Sequence, residues 1–169
     1  VYAAAEQGTR LALDHLWSLG HRNIACVSDP RNHDGRLRAE LYRQYMREHG
    51  VEQEIRLHMI PQDQQATYQV GQSLFGTSEQ PTAIYAASDT FAIYLLQAAF
   101  QAGIRVPQQV SIVGFDNIEF ASDTIPPLTT IDQSGVHMGE TAANLLLDMI
   151  EQDRTSTDVE DIILEPTLV

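Results

Sequence analysis

The chain has 169 residues, of which 23 are acidic and 10 are lysine or arginine, and its formal net charge is −13 at pH 7. A surface this acidic repels phosphate backbones, so the chain is by itself a poor candidate for contacting DNA or RNA. Hydrophobic residues supply 43% of the sequence without an apolar run of 18, which predicts one globular domain, with a split domain possible, and no membrane span.

The first part of the chain alternates between helical and strand patterns. Segment 6–20 places leucines and a tryptophan at near-helical spacing and ends in a glycine, which predicts a helix. The run NIACVSD, residues 23–29, is short and mostly apolar, as expected of a strand covered on both faces. A helix at 36–50, a strand at 55–61 and a helix at 67–76 are predicted to follow.

The second part continues the alternation. Residues 82–88 (TAIYAAS) predict a strand, and 89–103 predict a helix with Asp89 as a candidate N-cap. A strand at 109–116, a long helix at 134–152 and an extended segment at 161–169 are predicted after it. Helices that alternate with short buried strands indicate an α/β fold, a doubly wound parallel sheet flanked by helices.

The sequence gives no motif support for catalysis, a cofactor or a metal site. It contains no GxSxG, Walker A or GxGxxG pattern, so no enzyme activity is predicted. His15 and His21 share no helix face with an acid at metal-ligand spacing, and the HDG run at 33–35, in a predicted loop, lacks a second histidine. Cys26 lies in the apolar run IACV, where a buried structural thiol is favoured over a nucleophile and suits a reducing compartment.

Short polar side chains follow three of the predicted strands. Asp29 ends the first strand, Ser88 and Asp89 follow TAIYAA, and Asp116 and Asn117 follow SIVGF. Ligands of such sheets bind at the carboxyl ends of the strands, so these residues suit hydrogen bonding to a heteroatom-rich small molecule. Helix capping is the favoured alternative for Asp29 and Asp89, whereas ligand contact is favoured for Asp116 because no clear helix starts right after it.

Four segments of the chain resemble the LacI/GalR family of bacterial transcriptional regulators. They are HLWSLGHRNIACVSDP, RLRAELY, PTAIYAASDTFAIYLLQAAFQAGIRVPQQVSIVGFDN and PPLTTIDQ…MGETAANLLL, in this order. The resemblance covers essentially the whole chain and concerns the family's effector-sensing region. It implies an amino-terminal helix-turn-helix domain followed by a two-lobed core like that of periplasmic sugar-binding proteins.

The resemblance also implies a division of the chain. Residues 1–131 would form the second lobe of a periplasmic-binding-protein-like type I fold, 132–158 a crossover with a helix of the first lobe, and 159–169 a return strand. The DNA-binding headpiece and most of the first lobe would be absent. The Pro126–Pro127 pair suits a stiff crossover because proline fixes φ and lacks a donor, and 153–161 is a polar, linker-like stretch.

Family roles transfer to particular residues of this sequence. Arg38 matches an arginine that reaches the effector, and its forked donors suit sugar hydroxyls or a carboxylate; the alternative is a surface arginine. Asp116 and Gln133 match two further cleft positions. The resemblance also places Ser88 and Asp89 at the effector site, although many sugar-responsive members have Asn where Ser88 stands. Ala66, Leu41 and Tyr94 are further departures that leave the effector's identity open.

The family resemblance implies a homodimer formed mainly by the second lobe. Interface contacts are expected from the helix at 89–103 and the segment 119–125, specifically from Phe91, Tyr94, Leu95, Gln97, Ala98 and Thr124. A helix this apolar on all sides is normally buried. The helix at 136–150 has an apolar face as well and is expected to add non-native association in the absence of the first lobe.

Two functions are compatible with these features. The first is a cytoplasmic regulator that binds a sugar-like effector between its lobes and binds operator DNA through its headpiece alone, without contacting a membrane. The second is an exported, periplasmic sugar-binding protein that serves a transporter. No secretory signal is visible at residue 1, and the upstream sequence would distinguish a helix-turn-helix from a signal peptide.

Overall fold

The computed structural model describes residues 1–152 and 160–169. Within them the helices are α1 (Ala5–Ser18), α2 (His33–Glu48), α3 (Gln64–Leu74), α4 (Asp89–Gln101) and α5 (Gly135–Glu151). The strands are β1 (Tyr2–Ala3), β2 (Ile24–Ser28), β3 (Arg56–Met59), β4 (Ala83–Ala86), β5 (Ser111–Val113), β6 (Ile131–Asp132), β7 (Ile163–Leu164) and β8 (Thr167–Leu168). None of the helices described is long and apolar enough to cross a bilayer.

The central sheet contains four parallel strands in the order β3-β2-β4-β5. The chain starts the sheet with β2 and adds β3 on one side of it. It then adds β4 on the other side of β2, followed by β5 at the edge. Cys26 of β2 lies between Leu57 of β3 and Tyr85 of β4 in the register. The predicted α/β fold with a parallel sheet is confirmed.

The two faces of the sheet carry separate hydrophobic clusters, because successive strand residues point to opposite sides. Ile24 and Cys26 face α1 and α2, whereas Ala25 and Val27 face α3 and α4. The strands are therefore apolar without alternation, as parallel strands covered on both faces should be. Cys26 is fully buried and its thiol pKa is raised by that burial, which agrees with the structural role expected for it.

Two small strand pairs lie outside the central sheet. β1 pairs with β7 in parallel and β6 pairs with β8 in antiparallel fashion. The segment predicted as one strand at 161–169 is thus two strands, separated at Glu165 and the buried Pro166, with different partners. The two-residue strands β1 and β6 are too short to show any periodicity in the sequence. The predicted boundary between 158 and 159 and most of the polar stretch at 153–161 lie outside the described residues.

Helix α4 buries one face only, which corrects the predicted dimer contacts. Phe91, Leu95 and Ala98 are 3% exposed or less because they belong to the hydrophobic cluster that α4 forms with the sheet and α3, so their assignment to an interface is wrong. The outer face instead carries partly or fully exposed Ile93, Tyr94, Leu96, Gln97 and Phe100, next to Thr124 and Ile125. Phe100 is 85% and Ile125 is 96% exposed. The helix has one apolar face in the core and a second apolar face in solvent.

Helix α5 differs from the other four helices because none of its residues is buried. Its apolar side chains Val136, Leu146, Leu147 and Ile150 are between 57% and 82% exposed. Amphipathic helices gain most of their stability from packing that apolar face. The α5 face is therefore a surface that the described part of the chain leaves uncovered.

The close contact between α3 and α4 depends on Gly71. A Cβ at this position would lie 2.6 Å from the Cβ of Ala98, which is fixed to the α4 backbone and cannot rotate away. We expect Gly71→Ala to lower the free energy of unfolding by about 1–2 kcal/mol, because overpacking outweighs the gain of about 1 kcal/mol in helix propensity. Urea denaturation followed by circular dichroism measures this loss.

Gly139 of α5 provides the matched control, since it is also a helical glycine but has no heavy atom within 4 Å of its added Cβ. Gly139→Ala should leave stability unchanged or raise it by up to about 1 kcal/mol. Equal unfolding midpoints for the two variants would contradict the proposed α3–α4 contact.

Candidate functional site

Three of the predicted effector residues meet at the carboxyl edge of the central sheet. Nη1 of Arg38 lies 3.2 Å from Oδ1 of Asp116, and Nε2 of Gln133 donates to the same oxygen at 2.7 Å. These residues come from α2, from the turn after β5 and from the crossover after β6. The fold therefore brings together residues up to 95 positions apart in the chain.

Arg38 is held in place from several sides. Its Nη1 also donates to the carbonyl oxygen of Ala87 at 2.7 Å, and its guanidinium lies 3.7 Å from the centroid of the Phe115 ring. Arg38 is only 5% exposed, so the alternative of a surface arginine is wrong. A buried arginine needs an anionic partner to offset desolvation, and Asp116 supplies it. Nε of Arg38 has no hydrogen-bond partner among the described residues.

Asp116 stands in an unusual backbone conformation. Its φ is 113°, and its N–H donates to the carbonyl oxygen of Ile131 at 2.9 Å, so the turn after β5 is fixed against the crossover. The side chain is 30% exposed. Burial raises the pKa of Asp116 to about 6, and the charge of Arg38 limits the increase. The carboxylate is thus partly exposed at the carboxyl edge of the sheet, where it pairs with the more deeply buried Arg38.

Ser88 and Asp89 have structural partners that the sequence pattern did not reveal. Ser88, rather than Asp89, is the N-cap of α4, and its Oγ accepts from the N–H of Phe91. Asp89 is fully buried; its Oδ1 accepts from Oγ1 of Thr130 at 2.5 Å and its Oδ2 from the N–H of Ile118 at 2.9 Å. Burial raises the pKa of Asp89. The structure does not support direct effector contact by Asp89, which instead ties α4 to the crossover.

Asp29 is not a helix cap either. Its carboxylate accepts from the side chain of Arg31 at 2.7 Å and from the N–H of Gln62 at 3.0 Å, so it joins the loops after β2 and β3. The hydrogen bond from Arg31 lowers the pKa of Asp29 to about 2. The true N-cap of α2 is Asn32, whose Oδ1 accepts from the N–H of Gly35 at 2.6 Å.

Helix α2 starts earlier than the periodicity predicts, at His33 instead of residue 36. The HDG run at 33–35 forms its first turn and is not a loop, which places Asp34 one helical turn before Arg38. A Cβ on Gly35 would lie 2.2 Å from the carbonyl oxygen of Asp29, so only glycine fits there. The asparagine cap was the sequence signal that could have located this turn. Among the described residues, no group of three His, Cys, Asp or Glu side chains is placed to hold a metal ion.

Comparisons with known proteins agree with this architecture. Residues 13–169 match the model of the periplasmic binding protein-like domain family. The ribose operon repressor of Escherichia coli (strain K12) is 34% identical over 154 residues, which covers 86% of this chain and 44% of the repressor. The chain thus spans less than half the length of that relative.

Two solved structures have the same fold. A LacI transcriptional regulator from a Rhodococcus species superposes with a TM-score of 0.86 at 29% identity, over 99% of this chain and 61% of the other. A Lac repressor dimer bound to operator and the anti-inducer ONPF superposes with a TM-score of 0.84 at 30% identity, over 99% of this chain and 57% of the other.

The pKa of Asp116 predicts a pH-dependent stability. The folded chain keeps a proton that the unfolded chain releases, because the pKa rises from 3.8 to about 6 on folding. Stability that is present below about pH 4 should therefore be lost as the pH rises through about 6. Partial exposure reduces the loss to about 1 kcal/mol. Asp116→Asn should flatten this slope in urea denaturation at pH 4 to 7.

Asp29→Asn is the control for this measurement. The pKa of Asp29 is lowered to about 2, so its contribution is complete above about pH 4 and disappears only as the pH falls towards 2. The variant should be less stable overall and still show the wild-type slope between pH 4 and 6. An unchanged slope in Asp116→Asn would refute the raised pKa.

Proposed function

This chain belongs to the LacI/GalR family, and we propose that it is the effector-sensing part of a transcriptional regulator. The observation that carries the proposal is the buried Arg38, paired with Asp116 at the carboxyl edge of the sheet. Burying the Arg38 guanidinium in this pair costs desolvation free energy, and such a pair adds little to stability. Binding of a small polar molecule gives such an arrangement a function.

The chemistry of these residues fits a hydroxyl-bearing effector. Arg38 and Gln133 carry donors, and Asp116 is an acceptor for hydroxyl groups. The E. coli relative is named a ribose operon repressor, which supports a sugar-like effector for this chain. Ser88 follows Ala87, whose carbonyl oxygen accepts a hydrogen bond from Arg38. Because the Oγ of Ser88 already caps α4, we assign Ser88 a supporting role next to the site and no direct effector contact.

The cleft needs a second wall, and we assign that wall to a first lobe. The proposed division keeps residues 1–131 in the second lobe, 132–158 in the crossover and first-lobe helix, and 159–169 in the return strand. The exposed apolar face of α5 supports it, because a helix with no buried residue lacks its packing partner in the described part of the chain. An intact protein with both lobes should therefore bind effector much more tightly than this chain alone.

A homodimer is proposed through the outer face of α4. The corrected surface consists of Ile93, Tyr94, Leu96, Gln97, Phe100, Thr124 and Ile125. An exposed patch of large apolar side chains on a chain with net charge −13 is typical of a protein interface. The Lac repressor in the operator complex, which has the same fold, is described as a dimer.

DNA binding is assigned to a headpiece outside this chain. The acidic composition argues against operator contact by the chain itself, and a DNA-binding protein is expected to act in the cytoplasm without contacting a membrane. The alternative of an exported sugar-binding protein is disfavoured, because the relative and the two structures compared above are regulators or repressors by name.

Thermal-shift screening of the intact protein against sugars and nucleosides tests the proposed function. A stabilising compound should also change the amount of specific DNA that the protein retains from sheared genomic DNA. We expect Arg38→Lys and Asp116→Asn to weaken binding of that compound at least about thirtyfold, because each loses a buried, charge-assisted contact.

Arg36→Lys is the matched control, since Arg36 is exposed, lies on the same helix and donates to the carbonyl oxygen of Pro30 instead. It should bind the compound as the wild type does. A protein that retains no specific DNA with or without any compound would contradict a regulator, and normal binding by Arg38→Lys would contradict the assigned site.

Ile125→Glu should dissociate the dimer. Ile125 is 96% exposed, so the change leaves the core intact but places a charge in the proposed apolar interface. Sedimentation velocity of the intact protein should show a dissociation constant at least about tenfold higher than that of the wild type.

Leu37→Glu is the control for the dimer. Leu37 is an exposed aliphatic side chain like Ile125, but it lies on α2, which packs on the opposite face of the sheet from α4. It should sediment as the wild type does. A wild-type monomer at tens of micromolar, or a dimer that tolerates Ile125→Glu, would refute the proposed interface.

A further inference from the structure

The guanidinium of Arg38 lies on the face of an aromatic ring. Its central carbon is 3.7 Å from the centroid of the Phe115 ring, which is within the range of a cation–π contact. Phe115 is fully buried and Arg38 is 5% exposed, so little water weakens this contact. A ring face holds a guanidinium from above or below its plane, whereas the N–H donors lie within that plane. The contact with Phe115 therefore uses none of the donors.

Arg38 leaves part of its donor set unused. Among the described residues its hydrogen bonds are made by Nη1 alone, to the carbonyl oxygen of Ala87 at 2.7 Å and to Oδ1 of Asp116 at 3.2 Å. Nε is buried and has no partner in the described part of the chain. The guanidinium is thus held at Nη1 and by the Phe115 ring, and its Nε–Nη2 edge has no protein acceptor there.

The tip of the Phe115 ring is confined by helix α1. A Cβ on Gly8 would lie 2.8 Å from Cζ and 3.0 Å from Cε2 of the ring, and 3.1 Å from Cγ2 of Ile131. Gly8 is buried within α1, where glycine lowers helix stability relative to alanine. The ring tip therefore packs into the space that the absent side chain of Gly8 leaves.

The backbone of Phe115 is fixed as well. Its carbonyl oxygen accepts from the N–H of Asp89 at 2.7 Å. The N–H groups of its neighbours Gly114 and Asp116 donate to the carbonyl oxygens of Thr129 and Ile131, each at 2.9 Å. Both ends of the side chain are therefore held, and this fixes the position of the ring beside Arg38.

On the basis of the proposed function, we propose that Phe115, packed against Gly8, is the positioning residue of the effector-binding arginine. The ring immobilises the guanidinium and leaves its Nε–Nη2 edge free for acceptor atoms of the effector. A polar side chain in the place of Phe115 would hold Arg38 through a hydrogen bond and would consume one of these donors. Gly8 is part of the arrangement because a larger side chain would displace the ring.

NMR relaxation of the Arg38 Nε–H group, measured on the intact protein without effector, tests this proposal. Order parameters are about 0.85 for rigid backbone N–H groups and below about 0.6 for flexible ones. We expect Arg38 to be near the rigid value in the wild type and near the flexible value in Phe115→Leu, because leucine offers no ring face. Phe91→Leu is the matched control, since Phe91 is 1% exposed and belongs to the cluster on the other face of the sheet from Phe115.

Gly8→Ala tests the same arrangement with the ring retained. The added methyl group must displace the ring, so the order parameter of Arg38 should fall. Gly139→Ala is the control, because its added Cβ has no heavy atom within 4 Å, and it should leave Arg38 unchanged. In the double variant Gly8→Ala/Phe115→Leu the smaller side chain makes room for the methyl group. Its order parameter should therefore equal that of Phe115→Leu alone, as expected for residues in contact.

Calorimetry of the intact protein with D-ribose, the sugar in the name of the E. coli relative, relates the position of Arg38 to binding. Phe115→Leu and Gly8→Ala should each bind D-ribose at least about tenfold more weakly than the wild type, because a buried cation–π contact is lost or displaced. Phe91→Leu and Gly139→Ala should stay within about twofold of the wild type, since neither changes this contact.

An order parameter of Arg38 that is unchanged in Phe115→Leu and Gly8→Ala, or that falls equally in Phe91→Leu, overturns the proposal while the regulator function stands. Equal losses of D-ribose affinity in Phe115→Leu and Phe91→Leu also overturn it, because they indicate a general effect of core mutation. If the wild type binds no D-ribose, this sugar is excluded as the effector and the order parameters alone decide the role of Phe115. Failure to retain specific DNA counts against the regulator function itself.

Discussion

The contact between the buried carboxylate of Asp89 and the crossover holds the candidate site together. Oδ1 of Asp89 accepts from Thr130, and a Cβ on Gly114 would lie 2.1 Å from that same oxygen. Because Gly114 has no side chain, the Asp89 carboxylate can lie against its backbone and still reach the hydroxyl group of Thr130. The N–H of Gly114 donates to the carbonyl oxygen of Thr129 at 2.9 Å. Thr129 of the crossover also forms a parallel β-bridge with Val113 at the end of β5. Burying a carboxylate is costly unless its oxygens are satisfied, and here hydroxyl and amide groups satisfy both.

The Arg38–Asp116 pair depends on this junction. Asp116 follows Gly114 by two residues and donates its N–H to Ile131, so the same parallel backbone pairing that Asp89 stabilises also fixes the position of the carboxylate. Phe115 between them is fully buried and supports the guanidinium of Arg38 with its ring. The charges are thus held in position before any effector binds. The free-energy cost of removing them from water is met during folding and is not added to the cost of binding.

The sequence predicted the layers of this fold better than it predicted individual contacts. Apolar runs such as IACV and AIYA are long enough to identify buried strands, and glycine ends mark the helices, so the parallel sheet followed from pattern alone. Phe91, Leu95 and Ala98 were misassigned to the interface because α4 is apolar on two faces, and periodicity cannot tell which face meets the core: Leu95 is buried whereas Phe100 is exposed. Asp89 was misassigned for a related reason, since its partners Thr130 and Ile118 lie 41 and 29 residues away in the chain.

The position of Gln133 links the site to the rest of the molecule. Gln133 donates to Asp116 and stands two residues before the first residue of α5, with Ser134 between them in a left-handed conformation at φ 54°. Before it, Ile131 is fully buried and paired with β8, so the chain is anchored on the sheet side. Because α5 has no buried residue, it is restrained mainly through this connection in the described part of the chain. At this end of α5, a movement of the helix relative to the sheet is accommodated within residues 132–135, next to the hydrogen bond from Gln133 to Asp116.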